Sequence, residues 1–117
     1  MREQSSSFVK VFFADKSRVM RELHAWAARL KRDRADVEKI GLFGSYATDA
    51  YGPHSDADLL IVLRAGDKPF RDRIPEFLPD DISVPCDVFP YTAGEIESLQ
   101  RDDSPWIKHI LKEVIWL

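Results

Sequence analysis

Between Asp15 and Arg32 the apolar residues fall at Val19, Leu23, Trp26, Ala27 and Leu30. Steps of three and four place them on one helical face. Asp15 or Ser17 stands where an N-cap is wanted, and Arg18 and Glu22, four apart, can pair along the helix. Before this segment, Phe8-Val-Lys-Val-Phe-Phe13 is aromatic and β-branched and reads as a strand. Residues 1–7 are polar and Ser-rich, and are expected to form a loose terminus. Val37–Phe43 reads as a second strand that stops at Gly44, and Ala57–Leu63 as a third. The unbroken apolar run in the third predicts a strand covered on both faces. Gly52-Pro53 marks a turn between them. Residues 69–78 predict a short helix interrupted by Pro75. Val84–Phe89 is a fourth strand, with Pro85 at its start or marking an edge. Thr92-Ala-Gly-Glu95 is a capping box that opens a helix to about Gln100. Ser104-Pro105 opens a last helix that runs to about Glu113. The order predicts an α/β (α+β) domain with a central mixed sheet of about four strands and flanking helices.

Composition narrows the class. The 117 residues are read as one domain, 1–117. Hydrophobic residues at 44% and charged residues at 32% exclude a disordered chain. Lys+Arg 17 against Asp+Glu 20 leaves a net charge of −3, which argues against a nucleic-acid partner. Cys86 is the sole cysteine, so no internal disulfide forms, and a reducing compartment is expected. No apolar run nears the ~18–20 residues of a membrane span, and the first residues lack a secretory apolar core. The expectation is a cytoplasmic protein with no membrane partner.

The chemistry concentrates between Gly44 and Asp58. Asp56 and Asp58 flank one residue at the mouth of a strand, so both point to the same face, roughly 6–7 Å apart. Two carboxylates so close repel unless a cation lies between them, and Mg²⁺ suits carboxylates combined with phosphate oxygens. Asp87, on the fourth strand, can add a third carboxylate. Three such groups can hold two metal ions roughly 3.5–4 Å apart, an arrangement that serves phosphoryl-type transfer. Gly44 lets the backbone turn and approach a ligand. With the Ser45 hydroxyl, the amides that follow can hold a phosphate. Together these describe a nucleoside triphosphate site.

Gly44-Ser45, ten intervening residues, and Asp56-Ala57-Asp58-Leu-Leu resemble the signature of the DNA polymerase beta-like nucleotidyltransferase superfamily. Leu42-Phe43-Gly44-Ser45 and Ser55-Asp56-Ala57-Asp58-Leu59-Leu60 resemble its small single-domain members, the minimal nucleotidyltransferases, over roughly residues 37–90. The resemblance implies the nucleotidyltransferase fold. It implies Asp56, Asp58 and Asp87 as catalytic metal ligands, with Asp87 helping to deprotonate the attacking hydroxyl. Gly44 and Ser45 would hold the nucleotide phosphates. The implied cofactors are two Mg²⁺, for which Mn²⁺ can substitute, with ATP or another nucleoside triphosphate as substrate. The implied reaction transfers a nucleoside monophosphate, AMP from ATP, to an acceptor hydroxyl. Small members are often paired with a helical HEPN-domain protein as a toxin–antitoxin module, so such a protein is an expected partner and acceptor. One departure stands out: where small members carry Ala-Arg-Gly, this chain has Ala47-Thr48-Asp49. A phosphate-pairing arginine is replaced, and Asp49 adds negative charge. His54 and Arg64 are the candidate substitutes. The competing reading is a catalytically weak or inactive binding module that keeps the fold and works by protein contact.

The remaining chemistry-bearing residues read as structural. His24 and His109 belong to helix surfaces or packing, and Trp26 to the core. Cys86 reads as a buried small hydrophobe, and Arg71 and Arg73 as a solvated face. Trp106, Ile107, Ile110, Leu111 and Val114–Leu117 spread over more than the stripe one sheet face covers. Two expectations follow: a homo-oligomer or partner interface through this segment, or a strand folded back on its own domain.

Overall fold

The computed structural model describes residues 15–50, 52 and 55–117. The strand expected at Phe8–Phe13, the terminus at 1–7 and His54 lie outside the described residues. The first described element is α1 (Lys16–Asp33), whose N-cap Asp15 accepts a hydrogen bond from the Ser17 amide at 3.1 Å. Val19, Leu23, Trp26 and Ala27 are its buried positions, as the spacing predicts, and His24 is exposed. β1 (Val37–Phe43) leads into the four-residue helix α2 (Ser45–Thr48). β2 (Ala57–Leu63) and α3 (Phe70–Phe77) follow. Then come β3 (Cys86–Thr92), α4 (Ala93–Arg101), α5 (Pro105–Glu113) and the two-residue β4 (Ile115–Trp116).

The sheet order is β3-β2-β1-β4. β1 runs antiparallel to both β2 and β4, and β2 parallel to β3. The sheet is therefore mixed, with helices on both faces. One core joins α1 to Ile40, Leu42, Leu59 and Ile61. The other joins Ile96 of α4 and Ile107 and Ile110 of α5 to Phe43, Leu60 and Val62. This two-sided cover explains why β2 is continuously apolar from Leu59 to Leu63 rather than alternating.

Three local expectations change. The fourth predicted strand starts two residues late, just after Pro85, and runs on through Pro90 to Thr92. Proline offers no amide to a ladder. Pro85 therefore stands outside the strand, and the edge position of β3 tolerates Pro90. Pro75 lies inside α3 without dividing it. Arg73 belongs to no solvated face. It is 5% exposed, and its guanidinium donates to Glu95 Oε1 and Oε2 at 2.7 and 3.0 Å and to the carbonyls of Pro90 and Lys68. Its partner Glu95 also closes the α4 capping box with Thr92. One pair thereby ties α3 to the β3–α4 corner.

The chain after α5 folds back as β4 beside β1, with the Leu117 amide donating to the Ile40 carbonyl at 2.8 Å. Gly41 makes this possible, because a Cβ there would lie 2.3 Å from Val114 Cγ2. Trp106, Ile115 and Trp116 stay partly exposed, at 42, 36 and 40%. Among the described residues no helix is long and apolar enough to cross a membrane.

Candidate active site

The end of β1 and the starts of β2 and β3 meet at one end of the sheet. Asp58 is the register partner of Phe43 on β1 and of Asp87 on β3. Partners across a parallel ladder point the same way, and their strands lie about 4.8 Å apart. Asp58 and Asp87 are thus neighbours on the face covered by α5. Asp56 lies two residues before Asp58, just ahead of β2. The Ser55 hydroxyl, just before it, accepts from the Gly52 amide at 2.8 Å. The Ala57 amide donates to the Pro85 carbonyl at 2.9 Å, which sets the two strand starts side by side.

Gly44 links β1 to α2 with φ +80° and ψ −153°, a region essentially restricted to glycine. A second constraint is steric. A Cβ at this position would come within 2.3 Å of Asp58 Oδ2. The backbone of Gly44 therefore lies against the carboxylate expected to ligate metal. Tyr46, fully buried, anchors α2 to the core, and Ser45 is half-buried beside the turn. Thr48 donates its hydroxyl back to the Gly44 carbonyl at 3.2 Å. Asp49, the extra negative charge expected near the phosphates, is paired with Lys16 of α1, so its charge is locally balanced. Arg64, a candidate substitute for the missing arginine, cannot serve. It follows the far end of β2, where its side chain donates to the Ala35 carbonyl at 3.0 Å.

The sequence did not point to Glu113. The last residue of α5, it accepts the Gly44 amide hydrogen on Oε1 at 2.8 Å, with its side chain 17% exposed. His109, one turn earlier, lies 3.4 Å from the same oxygen. A carboxylate at a helix C-terminus faces the negative end of the helix dipole. The Gly44 amide offsets that unfavourable position, and the sequence alone carries no sign of the contact.

Three carboxylates lie near enough to Asp58 for their charge to reach it, and Asp58 shows the result. Burial first, then the charges of Asp87, Asp56 and Glu113, push its carboxyl up to about 6. No cation counters them: among the described residues no basic side chain pairs with Asp56, Asp58 or Asp87. As the side chains stand, no three acidic, His or Cys groups among the described residues are set to ligate one ion. What fits a hard divalent cation is the chemistry of the donors: uncompensated oxygens on adjoining strand ends beside a backbone only glycine permits. Cys86 is the reverse case. Burial first, then the neighbouring carboxylates, push its thiol to about 12, which makes it inert as a nucleophile.

Comparison with known proteins bears on this geometry. The family model described as "Nucleotidyltransferase domain" matches residues 26–116, well over half of the chain. No curated protein matches significantly. Among solved structures, that of a candidate nucleotidyltransferase from Sulfolobus solfataricus is similar, with a TM-score of 0.61 at 18% identity. The likeness covers 92% of this chain and 86% of that one and shows a shared fold. Members of the matched family generally use nucleoside triphosphates and divalent metals. The matched segment contains the whole Gly44–Asp87 site together with β4, and the fold is the one the family adopts: this chain belongs to the nucleotidyltransferase domain family.

Proposed function

We propose that this chain transfers AMP from ATP to a hydroxyl on a protein acceptor, using two divalent metal ions. The observation that supports it is the pairing of Asp58 with Asp87 across the β2–β3 ladder beside Gly44, with Asp58 pushed up by burial first and then by uncompensated negative charge. In this reading Asp56, Asp58 and Asp87 hold the metals, and Gly44 and Ser45 receive the triphosphate. Bound divalent cations would neutralise the triphosphate and the charge that develops in transfer. Asp87, the most exposed of the three, takes the proton of the attacking hydroxyl. The new bond joins the acceptor oxygen to the α-phosphorus, the α–β bridging bond breaks, and pyrophosphate leaves.

A protein acceptor accords with the exposed Trp106, Ile115 and Trp116, since exposed aromatic residues of this kind serve association. A HEPN-type helical protein as that partner rests on the sequence resemblance alone. A second reading, a fold that works by contact without catalysis, draws on Thr48 in place of the expected arginine. One experiment separates them. The chain is incubated with ATP labelled at the α-phosphate, Mg²⁺ and a candidate acceptor. Acceptor labelling that Asp58→Asn abolishes supports transfer. ATP binding without labelling of any acceptor, or no binding at all, moves the balance to the contact reading.

A further inference from the structure

Gly44 and Ser45 are the residues expected to receive the phosphates, yet the Gly44 amide is already engaged. Glu113 Oε1 accepts its hydrogen at 2.8 Å. One amide hydrogen makes one good hydrogen bond, so phosphate and Glu113 compete for it. The contact joins residues 69 apart in sequence, so it exists only because α5 packs on the sheet face that carries Asp58 and Asp87. His109 Nε2 lies 3.4 Å from the same oxygen, on the same helix face, so the carboxylate keeps one neighbour when it leaves the amide. The nearby carboxylates of Asp58, Asp87 and Asp56 leave a fourth negative charge with no reason to stay once a polyanion arrives.

We propose that Glu113 is a phosphate-mimicking carboxylate that occupies the Gly44 amide in the ligand-free protein and lowers the affinity for the triphosphate. It must be displaced, toward His109, for the nucleotide to seat. Glu113 is thus an affinity-setting residue whose action goes through the Gly44 backbone, and no chemistry at the reacting atoms is assigned to it. The proposal rests on the nucleotide reading of the site given above.

Two measurements on the full chain test it. The first needs no nucleotide. The Gly44 amide proton resonance, deshielded by a carboxylate acceptor, should move upfield in Glu113→Gln and further in Glu113→Ala. The second is calorimetric titration with Mg·ATP and, separately, with inorganic tripolyphosphate. Removing a charged competitor for one hydrogen bond should tighten binding of both by about tenfold in Glu113→Ala. Glu113→Gln, which keeps size and one acceptor oxygen, should fall between, and it serves if the alanine variant does not fold. Tighter binding in the variants, or binding only in the variants, supports the proposal. An unmoved Gly44 resonance overturns it. So does equal or weaker binding in the variants when the unsubstituted chain binds, an outcome that leaves the nucleotide reading intact. Binding in neither chain overturns both.

Discussion

Replacing Asp58 by Asn should make the metal-free protein more stable while removing its response to metal. In the folded chain the Asp58 carboxyl binds its proton more tightly than in the unfolded one, about 6 against 3.8. Its contribution to stability is therefore fully present below pH 3.8 and is lost as pH rises through 6. Above that, a buried negative charge repelled by Asp87, Asp56 and Glu113 works against folding. The difference corresponds to at most about 3 kcal/mol. Asp58 is only partly buried, and solvent screening reduces that to about 1.5 kcal/mol. No hydrogen bond to the Asp58 side chain exists among the described residues to offset this gain. Asn is close in size and carries no charge. At pH 7.5 without metal, Asp58→Asn should melt about 4–8 °C higher than the unsubstituted chain. The gap should close as pH falls from 7 to 4. Addition of Mg²⁺ should raise the melting temperature of the unsubstituted chain by mass action and leave the variant unmoved. Scanning calorimetry across pH 4–8, with and without Mg²⁺, reads all three. A variant less stable at pH 7.5, or a gap that does not depend on pH, would refute the electrostatic account of this site.

Three further substitutions probe other parts of the structure. Gly44→Ala combines a forbidden backbone region with a 2.3 Å contact to Asp58 Oδ2; it should cost about 3 kcal/mol in urea denaturation and abolish ATP binding, whereas a silent substitution would contradict the turn geometry. Thr48→Arg should tighten ATP binding by roughly tenfold if α2 faces the phosphates, and unchanged calorimetric affinity would count against that placement. Arg73→Met leaves the Pro90 carbonyl, a buried acceptor, without its donor; denaturant unfolding should show a loss of about 2 kcal/mol, with metal binding at the distant carboxylates retained.

The elements legible in the sequence are those whose cause is local. Asp15, the Thr92–Glu95 box and Ser104-Pro105 each cap a helix through partners within three residues, so no tertiary information is needed to see them. The apolar run Leu59–Leu63 of β2 announced its two-sided burial because solvent is excluded from every side chain in it. Gly44, Ser45, Asp56 and Asp58 could be grouped for the same reason, since they lie within one short stretch of chain. What lay beyond reach depends on contacts distant in sequence. Asp87 was already a candidate on the fourth strand, but its register opposite Asp58 is set by the β2–β3 ladder, and β3 itself starts late because Pro85 offers no ladder hydrogen. Arg73 read as surface because its carboxylate partner, Glu95, and the Pro90 carbonyl arrive from another element. The short β4 exists because Gly41 leaves room for Val114 and Trp116 against β1. Glu113 carries no motif at all. It reaches the Gly44 amide only when α5 covers its sheet face, and that packing is decided by Ile107 and Ile110 meeting Phe43, Leu60 and Val62 across the finished core.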